Sequence, residues 1–477
     1  MPYRTLLILL LCLMPRALAE GLPELGDSAR SSMSGLDERR LGEEIMREIR
    51  RSRAYYDDPE VTDYVIALGH RLVTRGAESR EDFQFFLMRD RQINAFALPG
   101  GFIGLHTGLL LAAQSESEVA GVMAHEIAHV TQRHIARILD QQRQSAVLGL
   151  AALAISILAA RSNSDFAGAA SAFGQGAAVQ NMLNFTRSHE READRVGLQI
   201  LEGAGFDPRG MAIFFDRLQR ATRLAEGGAP AYLRTHPLTH ERMADIQNRL
   251  DRLQYRQVAD AMEFQLVRAK LRADLDPPAH AQTFFEQSLS ERRFLSETAS
   301  RYGLATSLMR LKDLARARKE FDSLRRTSGS HPMVESLGCR IKNAAGETEG
   351  AIACYRDAQR VYPRHRALTY EYTELLLQAG RPEPALGVVA ARLPHAEDDP
   401  KLYTLQARAY AMQGKRLAQH RATGEAYARM GNLPAAIEQM QIALRSGDGD
   451  FYQLSATEAR LRELRKADEA QRREQRR

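Results

Sequence analysis

Apolar positions follow three rhythms along this chain. From about Leu36 to Val73 they recur among long charged stretches and read as helix, whereas Phe83 to Met88, Asn94 to Leu98 and Phe102 to His106 are short runs of aromatic and aliphatic residues. Asp90-Arg91 and Pro99-Gly100-Gly101 separate these runs, which predicts a small antiparallel sheet. Ser115-Glu116-Ser117-Glu118 follows, with the spacing in which a hydroxyl and a carboxylate satisfy the first free amides of a helix. That helix is expected to turn Val119, Val122, Met123, Ile127 and Val130 to the core and to run to about Leu139. Further helices are expected around Val196, Leu198 and Ile200, and over Met243 to Leu253.

The third rhythm is longer. Gly346, Gly380 and Gly414 are spaced by 34 residues, and so are Ala317, Ala351 and Ala385. Phe321, Tyr355 and Val389 keep step, each four after one of those alanines. This is the period of tetratricopeptide repeats, helical hairpins in which small residues let two helices approach and a glycine turns the chain between them. Gly431 lies 17 after Gly414, so an extra helix or a shift of frame interrupts the array. The chain closes on a charged helix, Ser455 to Arg477.

Composition narrows the setting. The 477 residues suggest two or three domains, and a net charge of +6 is spread over interleaved acidic and basic residues, which leaves no nucleic-acid footprint. Arg4, the nine apolar residues Leu6 to Met14, Pro15 and Ala17-Leu18-Ala19 have the form of a cleavable secretory leader, placing the mature protein outside the cytoplasm. The fifteen apolar or small residues Ala146 to Ala160 are too few to span a bilayer. A buried or interfacial hairpin, with possible peripheral membrane contact, is expected there, a core helix with a flexible loop being the alternative. Cys339 and Cys354 flank Gly346 at seven and eight residues, so an antiparallel hairpin would bring them to nearly one height. A structural disulfide is expected, with two free thiols as the other reading.

The chemistry concentrates in His125-Glu126-Ile127-Ala128-His129. Residues i and i+4 share a helix face, so both imidazoles can grip one zinc ion, and Glu126 can reach a metal-bound water. A catalytic zinc needs a third protein ligand and an open position. Gln132 and Ile135 stand where a metzincin would have Gly and His, and His134 is rotated off the ligand face. Glu190 is the better candidate, with Asp194 one turn on, placed to accept a hydrogen bond from a ligand imidazole and fix its tautomer. An exposed acidic helix face is the bland reading of that pair.

Together His125-Glu126-x-x-His129, Glu190-x-x-Ala193-Asp194 and the preceding Asn94-Ala95-Phe96-Ala97 resemble the membrane-associated zinc metallopeptidases that include HtpX, Oma and the CAAX prenyl proteases. With the leader, the repeats and Thr235-His236-Pro237, the mature chain is similar to the periplasmic branch of that family that enhances beta-barrel assembly. The resemblance implies that Glu190 completes the zinc site, one Zn2+ per chain, and that His236 can approach the metal. As a fourth ligand His236 would act as a latch; as the alternative it would be a transition-state donor. His240 and Arg242 could support the site from behind or lie on the surface. Glu126 would take the proton of the attacking water, while Asn94, Ala95, Phe96 and Ala97 would form an edge strand that adds extended substrate by backbone hydrogen bonds.

The expected fold is therefore α+β: a leader (1–19), a mainly helical zincin-like domain with a small antiparallel sheet (20–255), a helical connector (256–294), an all-α repeat solenoid (295–450) and a charged terminal helix (451–477). The expected activity is a zinc metalloendopeptidase for misfolded or stalled outer-membrane barrel proteins, with the repeats recruiting the precursors or the barrel assembly machinery. The rival is a repeat chaperone or scaffold with an idle or structural metal site.

Overall fold

The computed structural model describes residues 34–77, 81–141, 187–224, 230–254 and 257–475. The leader and the 146–160 segment lie outside the described residues. Among the described residues no helix is long and apolar enough to cross a membrane.

Helices α1 (Gly35–Arg51) and α2 (Pro59–Leu72) precede strands β1 (Gln84–Met88), β2 (Ala95–Leu98) and β3 (Phe102–His106). Then come α3 (Thr107–Ala112), α4 (Glu116–Thr131), α5 (His134–Gln141), α6 (Arg187–Gly203), α7 (Arg209–Leu224), the short α8 (Ala231–Thr235) and α9 (His240–Leu250). The strands read as continuous apolar runs because both faces of the sheet are covered. Ile45, Met46 and Ile49 of α1 pack against Phe86, Phe96 and Phe102, while Phe85, Leu87, Ala95, Ile103 and Leu105 join the main core on the other side.

The sheet is mixed, in the order β1-β3-β2, and not wholly antiparallel as expected. β2 and β3 form the hairpin, turning over Gly100 and Gly101 with φ of 75° and 85°. β1 instead pairs in parallel with the far side of β3. The segment after β1 is pinned across the end of β3, Asp90 giving its amide to the Thr107 hydroxyl and taking that hydroxyl's hydrogen bond on its carbonyl. β2 is thus an edge.

The helix begun at Ser115 ends at Thr131, short of the expected Leu139. Arg133 takes φ of 52° and starts α5 in a new direction. α9 begins at His240, three residues before the expected start, because the Thr239 hydroxyl caps it by accepting from the Arg242 amide.

The rest is helical: α10 (Met262–Leu275), α11 (Pro278–Ser290), α12 (Glu297–Arg310), α13 (Leu314–Ser328), α14 (Pro332–Ala344), α15 (Thr348–Val361), α16 (Arg366–Gln378), α17 (Pro382–Arg392), α18 (Pro400–Met412), α19 (Arg416–Arg429), α20 (Leu433–Leu444) and α21 (Phe451–Gln475). Gly346, Gly380, Gly414 and Gly431 turn successive hairpins at φ between 70° and 78°. Lys312, 34 residues before Gly346, holds the same left-handed position at φ 66° between α12 and α13. Cys339 and Cys354 form a disulfide joining α14 to α15. One buried cluster runs unbroken from Tyr56, ahead of α2, through Phe264 and Phe285 of α10 and α11, to Ile341 in α14. Helices α10 and α11 therefore belong to a core shared with the elements on either side of them.

Candidate metal centre

α4 and α6 lie close enough to share one site because small residues separate them. A Cβ on Gly197 would stand 3.2 Å from the His125 Cα, and one on Gly121 would meet the Met211 backbone at 2.9 Å. From α4 come His125, Glu126 and His129, and from α6 Glu190 and Asp194. His236 enters from the turn after α8.

The Nε2 atoms of His125 and His129 lie 3.1 Å apart, and the Glu190 oxygens lie 3.5 and 3.4 Å from them. His236 Nδ1 stands 2.9 Å from Glu190 Oε1. One donor atom from each of these four side chains falls within 4.8 Å of the others. The edges of a tetrahedron around a zinc ion with bonds of about 2.0–2.1 Å are about 3.3 Å. The donor set and its spacing fit such an ion. All four residues are buried, as is Glu126, whose Oε1 lies 3.6 Å from His236 Nε2. A buried carboxylate beside converging imidazoles fits a site built to hold a polar reactant.

Outer contacts orient the donors. His125 Nδ1 lies 3.1 Å from Asp194 Oδ1. Arg242 grips Asp194 through two 2.7 Å hydrogen bonds, donates to the Pro237 carbonyl at 2.8 Å and pairs with Glu190 at 2.7 Å. Arg242 is 1% exposed, and it ties the turn bearing His236 to α6. His240, by contrast, is exposed at the start of α9, away from the cluster. Two residues that the sequence reading did not assign to the site are brought to it. His134 Nδ1 lies 2.9 Å from His129 Nδ1, and Tyr232 stacks on His236 with ring centroids 4.7 Å apart. Nothing in the local sequence marks the turn at Arg133 that swings His134 back.

Electrostatics separate the two α4 histidines. Burial opposes charge on His125, but the Asp194 and Glu190 carboxylates outweigh it and raise the imidazole to about 9. At His129 burial prevails and the value falls to about 3. Burial raises Glu126 above the usual carboxylate range, against the lowering pull of His236 and His125. Burial acts the same way on Glu190, but the surrounding histidines overcome it and hold that carboxyl well below its usual value.

β2 passes beside α4. Asn94 accepts the His106 amide at 3.0 Å, so Asn94, Phe96 and Leu98 direct their backbone groups at β3, and Ala95 and Ala97 direct theirs outward. At the entry to this outer edge the Ile93 carbonyl accepts the Tyr232 amide at 3.1 Å. The α8 segment therefore touches both the donor cluster and the edge strand.

Residues 59–250 match the model of peptidase family M48, and residues 343–409 match a tetratricopeptide repeat model. The chain is 32% identical over 453 residues to the beta-barrel assembly-enhancing protease of Escherichia coli, covering 94% of this chain and 92% of that protein. It is 39% identical over 326 residues to a putative beta-barrel assembly-enhancing protease of Vibrio cholerae, covering 66% of each. The mitochondrial metalloendopeptidase OMA1 of Schizosaccharomyces pombe is 31% identical over 194 residues, 40% of this chain and 54% of that one.

Proposed function

Because this chain belongs to the beta-barrel assembly-enhancing proteases, M48 metallopeptidases that carry tetratricopeptide repeats, we propose that it is a periplasmic zinc endopeptidase acting on misfolded or stalled outer-membrane barrel proteins. The observation that carries this reading is the convergence of two imidazoles and a carboxylate beside the buried Glu126. His125, His129 and Glu190 would hold one zinc ion, which when bound would supply a Lewis acid for the scissile carbonyl and lower the pKa of the attacking water toward about 7.

The chain's own groups would do the rest. Glu126, held in a buried position, receives the proton of the attacking water and returns it to the leaving amine. Asp194, anchored by Arg242, fixes the His125 tautomer so that Nε2 faces the metal. The outward backbone of Ala95 and Ala97 aligns an extended substrate, a mode that reads conformation more than sequence. His236 and Tyr232 close the site, and the Tyr232 bond to Ile93 occupies the start of that edge, which supports the latch role over that of a donor. The repeats would engage barrel precursors or the assembly machinery, and the leader supports the periplasm within the envelope setting of the bacterial relatives.

The test is turnover of an unfolded outer-membrane barrel precursor by the mature protein, with metal analysis. One zinc per chain is expected. Glu126→Gln should retain it while losing about 10²- to 10⁴-fold in cleavage, and His236→Ala should raise basal or self-cleavage. A drop in cleavage without that rise would defeat the latch. Bound zinc without cleavage in any variant, together with suppressed precursor aggregation, would favour the scaffold.

A further inference from the structure

The two α4 histidines are supported differently from behind. His125 has a carboxylate, Asp194, at its Nδ1. His129 has another imidazole: His134 Nδ1 stands 2.9 Å from His129 Nδ1, and on its far side His134 Nε2 lies 3.1 Å from Glu192 Oε2. Arg137 donates to the same Glu192 oxygen at 2.9 Å. His134 is wholly buried, and His189 stacks on it with ring centroids 4.6 Å apart.

We infer that His134 is a positioning residue for the metal centre, fixing the ring orientation and tautomer of His129 through the chain His129–His134–Glu192. The inference rests on the metal site proposed above. The proton count admits one arrangement. With His129 Nε2 facing the other donors, its proton sits on Nδ1 and is donated to His134 Nδ1. His134 must then carry its own proton on Nε2, where the Glu192 carboxylate accepts it and Arg137 holds the carboxylate. Each link prescribes the next, and the last is a fixed charge pair at the surface. The left-handed Arg133 makes this geometry, since a straight continuation of α4 would carry position 134 away from the ligand face. Glu192 sits two residues from Glu190 on α6, so the same chain ties α5 to the helix that supplies the carboxylate donor.

Zinc affinity of the full mature protein, measured by competition with a chromophoric chelator, tests this alongside the thermal midpoint of the metal-free protein. The variants are His134→Leu, His134→Asn and Glu192→Leu. Asn sets its amide oxygen near where Nδ1 stands and can still accept from His129, whereas Leu cannot. His134→Leu is expected to weaken zinc binding about 10- to 100-fold, and His134→Asn to restore it to within about threefold of wild type. A packing role would move the midpoint and not separate Leu from Asn in affinity. Equal affinity of His134→Leu and wild type, or an Asn variant as weak as Leu at equal metal-free stability, overturns the inference. If His134→Leu does not fold, Glu192→Leu, which removes the acceptor, decides: a loss of about threefold or more supports the chain, and unchanged affinity overturns it. Failure of wild type to bind zinc would overturn the metal site, and the inference with it.

Discussion

A guanidinium holds the proposed centre together as much as any donor does. Arg242 touches Asp194, Glu190 and the Pro237 carbonyl from a buried position. Burial opposes its charge, and the Asp194 and Glu190 carboxylates more than restore it. Removing one partner of such a buried set strands the others. Arg242→Met is expected to cost about 3–5 kcal/mol of stability, read from denaturant unfolding, and to weaken zinc retention because Asp194 loses its anchor. At this scale the sequence was legible where spacing alone sets geometry: His125 and His129 share a face in any straight helix. It was mute on His134, whose place depends on a single left-handed arginine, and it could not separate Arg242, at the centre, from His240, at the surface.

Elements were legible where a pattern repeats and less so where partners are chosen. The 34-residue spacing marked the hairpins because glycine tolerates the left-handed turn, yet it concealed the first of them, where Lys312 adopts that turn. The three strands were visible as apolar runs, but their order was not, since it rests on the Asp90 contacts to Thr107. Within the array, the disulfide clamps α14 to α15 across a separation of 15 residues. Closing a loop of that size restricts the unfolded chain by about 3 kcal/mol. The double variant Cys339→Ala with Cys354→Ala is expected to lose about that much in denaturant unfolding, and cleavage per folded molecule should not change.

The two halves do not end where their sequence patterns do. Glu60 at the start of α2 is buried against Lys270 of α10 and Arg340 of α14, and Arg366 of α16 pairs with Asp63 at 2.6 Å. Farther along, the turn at Gly431 meets Arg47 of α1. With one apolar core running from Tyr56 to Ile341, the peptidase and the first repeats are expected to unfold in a single calorimetric transition. The ion pairs add an acid limit. Burial raises the Glu60 carboxyl, but Lys270 and Arg340 outweigh it and hold it below its ordinary 4.5. The charged form is thus favoured by folding, so its stabilisation is complete above that value and is lost as the pH falls below it. Unfolding free energy measured against pH should decline in that acid window, and Glu60→Gln should make the decline shallower.

If substrate adds to the edge of β2 as proposed, the hydrogen bond from Tyr232 to Ile93 carries a kinetic meaning as well. A tethered segment that occupies the start of the strand edge is a competitor present at a fixed, high effective concentration, commonly in the millimolar range for short tethers. A visiting strand must outlast it. Brief exposures of an extended segment would end before the tether yields, while a chain that stays extended would keep returning until it does. Selection would then operate on dwell time: cleavage should rise steeply with the length of extended peptide offered, and flatten once His236→Ala has loosened the tether.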